Sequence, residues 1–187
     1  MRKLITTILA SIAFIAGPAM ADDYSDTIKS FQSNPEIRQA FNSAYGYAVF
    51  PTIGKGGLGI GGAHGKGKVY QQGTVIGQTK MSQISFGLQA GGQAYSQVIF
   101  FENKAALDKF TSGQFEFGAG ANAIAITASA QAQTGTTGTS TGAGTSSEAN
   151  DHNIINYTNG MVVLTAGKGG LMYEASIAGQ KYSFKAQ

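Results

Sequence analysis

The sequence predicts an α+β fold, mainly antiparallel β, in which a strongly curved or barrel-like glycine-rich sheet is joined by an N-terminal helix and one short helix. Three observations carry that prediction. The stretch VFPTIGKGGL at Val49–Leu58 recurs, with seven of its ten residues unchanged, as VVLTAGKGGL at Val162–Leu171. In each copy β-formers run into a Gly-Lys-Gly-Gly segment whose glycines permit positive φ and close backbone approach, so both copies read as matching hairpin corners. Further on, Ile84, Phe86, Leu88, Ala90 and Ala94 alternate with Gln83, Ser85, Gln89 and Gln93, the pattern of a strand pair with one wet face. Ahead of both, Tyr24, Ile28 and Phe31 fall at the i, i+4, i+7 spacing of an amphipathic helix.

The elements follow in chain order. Arg2 and Lys3, the apolar run Leu4–Ala16 and the small residues Ala19-Met20-Ala21 have the three parts of a signal peptide over residues 1–21. Export to the periplasm, or beyond it, is therefore the expected location, peripheral on a membrane or secreted. Residues 22–187 are expected to form a single domain. After the first helical stripe, Asn34-Pro35 restarts the helix as N-cap and first helical residue, with Ile37 and Phe41 continuing the apolar face. Gly46 reads as the stop and Tyr47–Phe50 as the first strand. Asn103 caps a short helix bearing Leu107 and Phe110 and closed by Gly113, and Phe115 opens another β-like stretch. Residues 133–150 are Thr, Gly, Ser and Ala with little to bury, which predicts a mobile surface loop.

Charge and composition narrow the function. The chain has 187 residues, a formal net charge of +3 and no cysteine, so disulfides, thiolate metal sites and a lipidated cysteine are excluded. Loss of Arg2 and Lys3 with the signal peptide brings the mature chain close to neutrality, and nucleic acid is not an expected partner. Charge is concentrated instead: Lys55, Lys66, Lys68 and Lys80 lie in a stretch free of Asp and Glu.

The run AVFPTIGKGGLGIGGAHGKGKVY at Ala48–Tyr70 is followed by QISFGLQAGGQAYSQVIFF at Gln83–Phe101, FTSGQFEFGAGA at Phe110–Ala121 and GKGGLMYEASIAGQKYSF at Gly167–Phe184. These motifs, in this order, resemble the SYLF-domain family, which includes bacterial relatives of the yeast actin-patch proteins. The resemblance implies a non-enzymatic module that binds phospholipid. Actin is a ligand known in the family, but export removes this chain from it, so actin is not an expected partner here.

The residues themselves offer little catalysis. His64 and His152 lack the neighbours that metal spacing requires, and no G-x-S-x-G elbow occurs. Gly57–Gly62 matches G-x-G-x-x-G literally, yet the chain runs on toward another strand rather than into a helix aimed at a pyrophosphate. No enzyme activity, metal or cofactor is expected. Glycine turns with lysines on flexible stems do suit an anion, so Lys55, Lys66, Lys68 and Lys80 are the candidate contacts for an anionic phospholipid or other anionic amphiphile. Tyr24, Ile28 and Phe31 are the candidate membrane-contacting stripe, against the alternative that this helix packs on the sheet. The rival reading of the whole chain is a structural or partner-binding envelope protein without a lipid ligand. A transmembrane β-barrel has the right size but fits poorly with the helices and the polar Lys185-Ala186-Gln187 ending.

Overall fold

The computed structural model describes residues 23–118, 121, 123–126, 154–168 and 177–187. The expected signal peptide at residues 1–21, the 133–150 stretch, His152 and the second copy's Gly169 and Gly170 lie outside the described residues. Helices α1 (Asp23–Phe31) and α2 (Pro35–Ser43) are separated where expected, and the Asn34 side chain accepts from the backbone N–H groups of Glu36 and Ile37. Next come β1 (Gly46–Gln71), β2 (Thr74–Phe101), α3 (Lys104–Thr111), β3 (Gln114–Glu116), β4 (Ile124–Ile126), β5 (Met161–Lys168) and β6 (Lys181–Ala186).

The described strands form one six-stranded sheet in the order β3-β6-β2-β5-β4, with β1 along the other edge of β2. All pairings are antiparallel except β4 with β5. The strand path is open rather than closed.

Two expectations are corrected here. Gly46 does not stop the helix: α2 ends at Ser43, Ala44 is already extended, and Gly46 pairs with Phe101 as the first residue of β1. The Gly-Lys-Gly-Gly segment of the first copy is no hairpin corner either. Lys55, Gly56 and Gly57 pair with Gln93, Gly92 and Gly91 inside one 26-residue strand. The reversal comes at Gln72-Gly73, both at positive φ (49° and 80°), which is the two-residue turn that suits the twist of a hairpin.

What the glycines permit is curvature. Gly57 stands at φ 156° next to a register shift between Leu58 and Ile60, and a Cβ on Gly67 would lie 2.7 Å from the Phe50 ring. Along an extended strand those residues would be about 55 Å apart at about 3.3 Å per residue. The strand therefore doubles back over itself, and bare backbone at Gly67 is what lets the layers meet.

Both faces of the central strands are consequently buried. Tyr47 and Val49 with Val98, Phe100, Val162 and Leu164 pack against Phe31, Ile37 and Phe41 of the first two helices. Ala48, Phe50, Ile99, Phe101 and Val163 face the inside of the bend, where α3 contributes Leu107 and Phe110. That is why β5 reads as a continuous apolar run.

Inside the bend lies a polar cluster. The Gln97 side chain donates to the Tyr182 hydroxyl at 2.6 Å, and Gln180 donates to the Tyr95 hydroxyl at 3.1 Å. Gln83 donates to the Ala178 carbonyl at 2.9 Å. Burial pushes the Tyr95 phenol up to about 12 and Tyr182 well above its ordinary value. Tyr95 and Tyr182, each in a Gly-Gln-X-Tyr-Ser stretch (Gly92–Ser96 and Gly179–Ser183), thus meet in one cluster.

This cluster inverts an expectation. The alternation beginning at Gln83 predicts glutamine outward and isoleucine inward, whereas Gln83 is buried and Ile84 is 72% exposed. Hydrogen bonding to Gln180 and Ala178 holds Gln83 inside.

Candidate functional site

Cross-strand register assembles a lysine-rich face among the described residues. At the turn end of the hairpin, Lys66 of β1 lies directly opposite Lys80 of β2, which lies opposite Ser183 of β6. In the adjacent row Lys68 faces Gln78 and Gln78 faces Lys185. On the other side His64 faces Ser82 and Ser82 faces Lys181. Residues two apart along a strand share a face, so these rows form one surface, opposite to the buried Val69, Met81 and Tyr182.

Strand β3 extends the surface with Gln114 and Glu116. Glu116 pairs with Lys181 at 3.6 Å. A shallow groove of about 520 Å³ crosses the face between His64, Lys80, Ser82, Gln114, Lys181 and Ser183. The Lys68 ammonium sits 4.3 Å from the centroid of the Tyr24 ring, so α1 borders the face along its β1 edge.

Lys66 and Lys80 are exposed, and neither makes an ion pair among the described residues. Directly opposed like charges on a sheet are destabilising by about 0.2–1 kcal/mol. A bound anion would remove that repulsion, and backbone amides on this face are already spent on the ladder. What the arrangement offers an anion is ammonium groups, point charges that do not dictate a headgroup geometry.

The structure brings together three of the four lysines chosen from sequence and separates the fourth. Lys55 pairs with Gln93 at the far side of the bend and has the strand parity of the buried Ile53, away from the Lys66 row. Lys181 and Lys185 were missed, because β6 reaches β2 only through long-range pairing; their spacing of lysine, aromatic, serine, aromatic, lysine was the local signal. The α1 stripe faces the sheet: Phe31 is 1% exposed, and Tyr24 and Ile28 pack against the same cluster. Phe31 can reach a bilayer only by leaving that core.

Among the described residues no group of His, Asp or Glu could hold a metal ion, and no helix is long and apolar enough to cross a membrane.

Comparison with known proteins agrees with the order of motifs. Residues 82–187 match the family model described as Ysc84, Las17-binding protein actin regulator. Over 184 residues, 97% of the chain, the sequence is 30% identical to Beta cell expansion factor A of Aeromonas veronii, and it spans 61% of that protein's length. Neither name describes an enzyme.

Proposed function

Because this chain belongs to the Ysc84 family, the SYLF domain, we propose that it is an exported, non-enzymatic module that docks on anionic phospholipid through its lysine-bearing sheet face. The observation that carries the reading is the opposed Lys66–Lys80 pair without a counter-charge, flanked by Lys68 and Lys185 on the same surface. Near an anionic leaflet each basic residue contributes about 1 kcal/mol. With Lys181 offset by Glu116 and Lys68 engaged with the Tyr24 ring, Lys66, Lys80 and Lys185 supply about 3 kcal/mol, a factor of about a hundred in affinity. Such binding is peripheral and salt-sensitive.

Export is part of the proposal and rests on the signal-like residues 1–21. It would bring the face to a periplasmic membrane surface and away from actin, the partner suggested by the family's description.

The test is cosedimentation with phosphatidylglycerol vesicles and with neutral phosphatidylcholine vesicles. Changing Lys66, Lys80 and Lys185 together to Gln should abolish sedimentation with the anionic vesicles, whereas Lys104→Gln with Lys109→Gln on α3 should not. Binding should also weaken as salt rises to about 0.15 M, where the Debye length is about 8 Å. Equal sedimentation by both variants would remove the lysine face from the mechanism, and a native protein that sediments with neither vesicle would favour the rival reading of a protein-binding or structural envelope component.

A further inference from the structure

Among the described residues, the large apolar side chains that stand in solvent are Ile60 at 65% and Ile84 at 72% exposure. They are neighbours across the hairpin: Ile84 is opposite Gly62, two residues from Ile60 on the same face of β1. Gly59 and Gly61 flank Ile60, and Gly62 follows it on the same face, so these neighbours carry no side chain to shield it. Strand parity places both isoleucines on the lysine face, because Ile60, Gly62, His64 and Lys66 alternate along β1 as Lys80, Ser82 and Ile84 do along β2.

An aliphatic pair held in water at the bend of a strand is costly where a core position lies one residue away. Here that position is taken by Gln83, whose side chain is engaged inside. The fold thus keeps a polar group in and an apolar one out, next to a basic surface.

We propose that Ile60 and Ile84 form an insertion step that enters the acyl boundary of an anionic bilayer while the lysine rows rest on its phosphates. This deepens the lipid-docking reading and rests on it. Charge complementarity selects the occupant: an apolar step continuous with Lys66 and Lys80 fits a surface that is anionic outside and apolar just beneath. Ile84 lies about 13 Å along the strand from Lys80. A sheet tilted against the membrane plane can therefore carry the isoleucines about 5–10 Å below the lysines, the depth at which amphipathic surfaces settle.

The chain has no cysteine, so a single introduced thiol reports on one place. Ile60→Cys, Ile84→Cys and, as a control on the exposed end of α3, Ser112→Cys would each carry an environment-sensitive fluorophore. With phosphatidylglycerol vesicles the labels at 60 and 84 should shift to the blue and be quenched by lipid-borne quenchers; the label at 112 should do neither. The double variant Ile60→Ser with Ile84→Ser should keep its melting temperature and lose about tenfold in vesicle affinity per residue, the factor expected for burying an aliphatic side chain. Labels that stay in water while the protein sediments overturn the insertion step and leave electrostatic docking standing. Absence of sedimentation overturns the docking reading and the step with it. A blue shift that grows with protein concentration in the absence of vesicles assigns the step to a second copy of the chain and refutes it as a lipid contact.

Discussion

Replacing Lys80 by glutamate is expected to act in opposite directions on folding and on binding. Lys80 and Lys66 are directly opposed on neighbouring strands, and two unit charges about 6 Å apart in water interact by about 0.7 kcal/mol. Reversal turns that repulsion into attraction, a swing of about 1.4 kcal/mol that screening reduces to about 0.5–1 kcal/mol. For a chain of this length the melting temperature should rise by about 2 °C. At a vesicle surface the same change removes one favourable charge and adds an unfavourable one, about 2 kcal/mol, or about thirtyfold in affinity. Thermal melting and cosedimentation with phosphatidylglycerol vesicles read the two effects separately. Lys109→Glu makes the same change of net charge on α3 and should preserve most of the affinity. A Lys80→Glu protein that melts below the native one, or that sediments as well as it, would refute the reasoning.

Three further outcomes follow from the packing. Burial raises the phenols of Tyr95, to about 12, and Tyr182, so the unfolded chain loses its protons first: stability should be intact below about pH 10 and fall between pH 10 and 12, by about 3 kcal/mol for Tyr95 alone, as followed by tyrosinate absorbance alongside denaturant melts. Gly67→Val puts atoms 2.7 Å from the Phe50 ring and 2.8 Å from the Val49 carbonyl and should cost about 1–3 kcal/mol or more in urea unfolding, whereas Gly54, with nothing within 4 Å of the position a methyl would take, should accept alanine readily. Asn34→Ala removes the acceptor for the Glu36 and Ile37 amides and should cost about 1 kcal/mol; an unchanged urea midpoint would show that the cap contributes nothing.

Local chemistry was legible in the sequence; long-range register was not. Asn34-Pro35 and Asn103 named their helices because capping is decided within three residues. The first Gly-Lys-Gly-Gly segment is conspicuous in the sequence but its role is not, since glycine's freedom serves a turn and a bent strand equally, and only pairing with Gln93–Gly91 tells them apart. Gln83 and Ile84 exchanged faces because a hydrogen-bond network formed by residues far along the chain outweighs a local alternation. The basic face was half visible: Lys66, Lys68 and Lys80 share a hairpin, whereas Lys181 and Lys185 join them only once β6 pairs with β2.

Where apolar surface already stands decides which part of the molecule can do work at a membrane. Phe31 is buried against Ile37, Phe41 and Val98, and withdrawing a phenylalanine from a core costs about 1.5–3 kcal/mol. Entry into lipid would return about the same amount, so α1 gains little from Phe31 by leaving the sheet and loses the contact between Tyr24 and Lys68. Ile60 and Ile84 begin in water, and burying each is new stabilisation of about 1.5–3 kcal/mol. Added to about 3 kcal/mol from Lys66, Lys80 and Lys185, the pair moves the gross interaction from marginal to firm without disturbing the core. A docked α1 and an inserted hairpin are therefore mutually consistent, because the helix that stays on the sheet also holds Lys68 on the face it shares with Lys66.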